Sequence, residues 1–381
     1  MKTKHGRLSI TIVVCLSVAV WLCAGFLIVP GAWGQGTVTF NNRISGTGGW
    51  TTHVWAPSST APDIALVGLG SNDNPSGTTR FGSASAMAPI GSGGSGGKFG
   101  NATTLAQLLA APGADQPESS LVTASPTTTF RSGTSLGAVA GVTAALSNVA
   151  KDAPVATLQM VAWDNSSGMY STWAQACSAW KGGLIEAGKS VPLNVYNIGG
   201  GTNAAPTMAG LQSFNLYHEN GNYESCILVN PQSQTATLGQ RVPFRVFVGC
   251  TGDPVSYQWK FGGVDIPNAT NDVFIIPSAG SGDAGDYSVG YWTAFYSSPK
   301  LSSNATLTVL APPSIVISNL FTAVQLQFFA RTSITYYMQA SPDLGNWTNA
   351  DGPINGNGQT WSKTYPIGGA GRLFYRVWLA L

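Results

Sequence analysis

The stretch APVATLQMVAWD, from Ala153 to Asp164, sets Val155, Thr157, Gln159 and Val161 against Ala156, Leu158, Met160 and Ala162. A period of two places successive side chains on opposite faces, so the stretch predicts a β-strand. GTVTFNN (Gly36 to Asn42) alternates Val38 and Phe40 with threonines and predicts a second, half-buried strand. PDIALVG and SLVTASPTTTF have strand length and predict two more. One stretch breaks the rhythm. In STWAQACSAW, Trp173, Ala176, Cys177 and Trp180 recur at i, i+3, i+4 and i+7, the spacing of one helix face. Ser171 or Thr172 would cap that helix and Gly182-Gly183 would end it. GSGGSGG (Gly91 to Gly97) reads as a flexible loop within the same domain.

From Ile227 the pattern changes to short, clean strands. VPFRVFVGC puts Val242, Phe244, Val246, Val248 and Cys250 on one face, and VSYQWK does the same with Val255, Tyr257 and Trp259. DVFIIPS, DAGDYSV and SSNATLTVL follow. Ala311-Pro312-Pro313 then interrupts any strand, because proline donates no ladder hydrogen bond. Beyond it VQLQFFA, ITYYMQAS, NWTNA, QTWSKTYPI and RLFYRVWLAL predict a small antiparallel sandwich. The order over residues 226–310 resembles an immunoglobulin-like domain. That resemblance implies a core tryptophan at Trp259. It also implies a corner built from Asp283, Gly285 and Tyr287, with the Tyr287 hydroxyl bonding back to nearby backbone. The position two residues beyond the corner tyrosine, a cysteine in disulfide-bonded members, is Val289 here, so Cys250 would lack its partner across the sandwich.

The expected fold class is therefore all-β, as tandem antiparallel sandwiches with one short helix in the first domain. The boundaries read as 35–225, 226–310 and 311–381. The segment before them, residues 1–34, carries Lys2, Lys4 and Arg7, an apolar run from Leu8 to Val29, and Ala32-Trp33-Gly34. It reads as a secretory signal cut before Gln35, with an uncleaved membrane anchor as the alternative. The combination of this signal, LQMVAWDNSSG, YQWKFGGVDIPNAT and YYMQASPDLGNWT resembles secreted multidomain proteins of Verrucomicrobia and related bacteria. The resemblance implies export and architecture, without a particular chemistry.

Composition narrows the function. Charged residues are 9% of the chain, and loss of the leader takes the formal net charge from +2 to −1. Without a basic patch, nucleic acid is a poor partner. After cleavage Cys177, Cys226 and Cys250 remain; an odd count permits one bridge at most, with Cys177 and Cys226 the candidate pair where a bridge forms and buried, unpaired thiols the alternative. His53 and His218 have no G-x-S-x-G elbow to serve. Asp164, Glu186 and Glu219 are candidate acids for glycan hydrolysis only because acids are scarce. Trp50 and Trp55, set among glycine and threonine, are candidates for stacking on sugar rings. No cofactor or metal ligand set is apparent. An exported, non-enzymatic cell-surface or extracellular protein acting in adhesion, scaffolding or protein interaction through immunoglobulin-like modules is the leading expectation, its partner a protein or glycan at the cell surface. A carbohydrate-binding protein comes second and a hydrolase third.

Overall fold

The computed structural model describes residues 35–46, 48–219, 227–249, 255–293, 298–319, 323–366 and 373–380. The architecture is nearly all β, with several separate sheets and a single α-helix among the described residues. The leader, Cys226 and Cys250 lie outside them.

The first module is organised by the strand Val155–Asp164. Thr104–Pro112 pairs antiparallel along its whole length on one side. Glu186–Lys189 and Leu193–Tyr196 share the other side. Ala156, Leu158, Met160 and Ala162 face a main core with Val38, Phe40 and Leu146, supplied by the pair Gln35–Phe40 and Val142–Ala150. Val161 and Trp163 face a second core under the helix Trp173–Lys181. Both faces are covered, so the polar positions Thr157 and Gln159 are buried as well. The helix forms where the spacing predicts, starting with a Thr172–Gln175 capping box that satisfies donors the first turn would otherwise leave unpaired. The indole of Trp180 donates to Tyr217 O (3.1 Å) and that of Trp163 to Tyr170 O (2.7 Å).

Two expected strands shrink. PDIALVG keeps only Val67–Gly68 and SLVTASPTTTF only Val122–Thr123. Pro62 and Pro126 each remove a ladder donor there.

The middle module is the immunoglobulin-like sandwich. Its larger sheet runs Gln234–Thr237, Ala305–Leu310, Gly285–Trp292, Ser256–Phe261, Val264–Asp265, with the first two strands parallel. The smaller side pairs Val242–Arg245 with Val273–Ile276, and Ile227–Val229 with Phe247–Val248. Trp259 is fully buried between them and donates its indole N–H to Asn271 O (2.9 Å). The Tyr287 hydroxyl donates to Asp283 O (2.8 Å), while Asp283 Oδ2 accepts from Gly280 N (2.7 Å). Gly285 has φ +151°, and a Cβ there would lie 2.7 Å from the Phe261 ring. Glycine is what lets that ring close the corner.

The last module stacks two three-stranded sheets, one of Val316–Asn319, Ala323–Ala330 and Gln359–Pro366, the other of Thr348–Asn355, Thr335–Ser341 and Phe374–Ala380. Leu326, Phe328, Tyr336 and Met338 fill the space between them.

Candidate functional site

The expected site residues scatter. Trp55 is 3% exposed and its ring lies parallel to Phe81 (2° between planes, centroids 5.4 Å apart). Trp50 packs half-buried on the main core. Buried and stacked on Phe81, Trp55 is not the open sugar platform expected of it, while Trp50 keeps part of its surface in solvent.

His53, Asp73 and Ser213 do meet, but in the wrong order for catalysis. His53 Nδ1 is 2.7 Å from Asp73 Oδ1, and Ser213 Oγ donates to both Asp73 oxygens at 2.9 Å. In a nucleophilic triad the histidine stands between serine and carboxylate. Here the carboxylate is the hub, also accepting from Gly70 N at 2.5 Å, and the trio pins a loop.

Asp164, Glu186 and His218 come to one end of the central sheet, because Ala187 pairs with Trp163 and Glu186 with His218. Asp164 is spent on Phe99 N (3.1 Å) and Ser166 Oγ (2.7 Å). Glu186 is spent on Lys98 Nζ (3.0 Å), with His218 Nδ1 at 3.8 Å. Glu219 is buried beside them. No group of three His, Cys, Asp or Glu among the described residues is placed to hold a metal ion.

The most structured polar site lies instead where the first module meets the middle one. A cleft of about 450 Å³ opens there, lined by Trp173, Cys177 and Trp180 on one side and by Val255, Tyr257 and Asp272 on the other. Cys177 carries a free thiol and is half-buried; its candidate partner Cys226 is outside the described residues. At the base of the cleft, four charges and an amide form one cluster. Lys189 Nζ is 2.9 Å from Glu118 Oε2, and Gln159 Nε2 donates to Glu118 Oε1 and to Ser190 O (2.8 Å). Across the junction Arg245 Nη1 is 2.7 Å from Asp272 Oδ2, and Arg245 Nη2 donates to Gln116 O (2.9 Å). The Glu118 backbone N–H donates to Asp272 Oδ1 (3.2 Å), linking the two halves directly.

Around this cluster the modules are joined three more times. Arg241 pairs with Asp115. The Tyr217 hydroxyl donates to Gly249 O. Lys189 Nζ sits 5.2 Å above the Phe247 ring, a cation–π contact. Phe247 lies between Val246 and Val248, both in the sandwich core, and it is itself buried. Alternation within VPFRVFVGC would assign Phe247 to solvent. Its burial against the first module is the sign, readable only from the structure, that this face is covered.

Burial pushes the Asp272 carboxyl up to about 6; the Glu118 carboxylate adds to that, and Arg245 and Lys189 oppose it. The Tyr257 hydroxyl is also raised, first by burial and then by the negative charges of Glu118 and Asp272. The sign for stability follows. A carboxyl whose folded value exceeds its unfolded value favours the folded state most when protonated, so stability is fully present below about pH 4 and declines as pH rises through 6. The melt of the middle module in the intact chain is expected to rise by about 5 °C from pH 7.5 to pH 5, and Asp272→Asn is expected to flatten that slope. Equal slopes in both proteins, measured by scanning calorimetry, would show that Asp272 does not titrate in this range.

No protein-family model matches this sequence, and no curated protein does. Among solved structures the chain is similar to one titled "Tandem Ig repeats of Dlar", at 10% identity and a TM-score of 0.21, over 54% of this chain and 83% of that one. It is also similar to one titled "Structural basis for Dscam isoform specificity", at 12% identity and a TM-score of 0.19, over 54% and 38%. At such scores the likeness adds nothing to what the strand pairing already shows.

Proposed function

We propose that the chain is an exported, non-enzymatic protein that acts at the cell surface or in the extracellular matrix, in adhesion, scaffolding or protein interaction. Its first two sandwiches meet through the hydrogen bonds and ion pairs of the junction. The observation that supports this reading most is how the carboxylates of the cleft are used. Glycoside hydrolysis needs two carboxyl groups, one of them protonated, that face a bound sugar from either side of the scissile bond. Glu118 is held by Lys189 and Gln159, and Asp272 by Arg245 and the Glu118 N–H. The Glu118 N–H to Asp272 bond ties one module to the other, which is what a joint requires.

Export is part of the proposal, on the strength of the leader: the protein is expected in the envelope or matrix fraction with Gln35 at its N-terminus. Purified protein is expected to release no reducing ends from a panel of soluble glycans beyond the background of Glu118→Gln. Turnover by wild type that Glu118→Gln abolishes, with the fold intact by circular dichroism, would replace the scaffold reading with a hydrolase.

A further inference from the structure

The outer face of the sheet Thr348–Asn355, Thr335–Ser341, Phe374–Ala380 carries an arrangement that neither the fold nor the junction uses. Val377 and Leu379 point into the core, so Arg376 and Trp378 point out. Register sets Tyr337 opposite Trp378 and Gln339 opposite Arg376. The Tyr337 and Trp378 rings lie 5.5 Å apart at 46°, and Trp378 is 48% exposed. Gly352 sits beneath Tyr337: a Cβ there would approach the ring to 2.7 Å, so glycine lets the ring lie against the sheet.

Arg376 is held but not neutralised. Its guanidinium carbon is 4.2 Å from the Trp347 ring centroid, and its Nε donates to Gln339 Oε1 (2.8 Å). Among the described residues no carboxylate pairs with it. The nearby Asp343 is occupied by Gly345 N, Asn346 N, Asn346 Nδ2 and Ser341 Oγ, contacts that hold its carboxyl well below the usual range. The two terminal nitrogens of Arg376 therefore present an open fork, flat and pre-set, at about 7 Å along the strand from Trp378. A planar guanidinium in that state selects a carboxylate over a point anion.

We propose that this face binds a carboxylate-bearing polysaccharide. The exposed faces of Trp378 and Tyr337 would stack on the C–H faces of sugar rings, and Arg376, braced by Trp347 and Gln339, would take the carboxylate of a neighbouring uronic acid unit. Register brings the rings of Tyr337 and Trp378, the charge of Arg376 and the amides of Gln339 and Asn349 together on neighbouring strands. An acidic peptide would engage Arg376 but has no ring C–H faces to lay on Trp378 and Tyr337. This goes beyond the adhesive reading by naming a ligand, and it does not depend on the junction. Glycan turnover and glycan binding are measured separately, so either can fail alone.

The test is affinity electrophoresis of the exported chain through gels containing polygalacturonate, its methyl ester or poly-L-glutamate. Polygalacturonate is expected to retard the protein, with the methyl ester at least tenfold weaker. Arg376→Gln and Trp378→Ala, both at exposed positions, are each expected to weaken retardation at least tenfold, and Arg376→Lys less. Unchanged melts of the variants would separate binding from folding. Unaltered mobility in polygalacturonate, retardation of either variant like wild type, or equal retardation by poly-L-glutamate would overturn the proposal.

Discussion

Replacing Trp259 with alanine is expected to unfold the middle module while the first stays folded. The side chain is fully buried, packs on Phe244 and Phe274, and satisfies Asn271 O. Emptying such a site costs about 3–5 kcal/mol, and the orphaned carbonyl adds to that. The whole stability of a domain is only about 5–15 kcal/mol. No sandwich-spanning disulfide with the usual second cysteine can offset the loss, because Val289 occupies that position, directly opposite Trp259 in the register. The first module keeps two cores of its own, one on each face of Val155–Asp164. Calorimetry of the variant should show an early transition for the middle module and a later one for the first. A single melt at the wild-type temperature would mean that Trp259 is not the keystone of its sandwich.

The second large effect is expected at the junction. Arg245→Ala leaves Asp272 buried with the Glu118 carboxylate nearby and no cation on its own side. Breaking a buried pair from one end typically costs about 3–5 kcal/mol, because the remaining charge is stranded. Here protonation of Asp272 will relieve part of it, so about 3 kcal/mol is expected at pH 7.5. The double variant Arg245→Ala with Asp272→Ala should recover much of that loss, since no charge is then orphaned. Arg241→Ala, which breaks the more exposed pair with Asp115, should cost less than about 1 kcal/mol. If the single and double junction variants melt alike, the cost lies in lost packing of the Arg245 stem rather than in the stranded carboxylate.

Much of the fold was legible in the sequence because it rests on periodicity. The alternation of Val155–Asp164, the helix face of Trp173, Ala176 and Trp180, and the Asp283-Gly285-Tyr287 corner are local patterns with local causes. What the pattern hides is the second covering of a surface. Phe247 and Arg245 occupy positions that alternation gives to solvent, and nothing within VPFRVFVGC announces that another module lies over them. Glu118 sits in a polar stretch with proline before it, and its partners Lys189 and Asp272 are far away in sequence. Trp55 misled for a related reason: glycine and threonine around a tryptophan suggest an open loop, yet Phe81, from a distant turn, covers the ring. Trp347, Arg376 and Trp378 passed unnoticed because their grouping depends on cross-strand register.

The central claim is that the first two modules form one joint through the Glu118–Asp272 contact. The Glu118 amide proton reports on it directly, since its acceptor, Asp272 Oδ1, belongs to the other module. In native-state hydrogen exchange of the intact chain, that amide is expected to be protected to an extent comparable with the strand Val273–Ile276, and to lose its protection in Arg245→Ala. Exchange of the Glu118 amide at the rate of an open loop, while both cores stay protected, would contradict the joint and leave two modules on a tether.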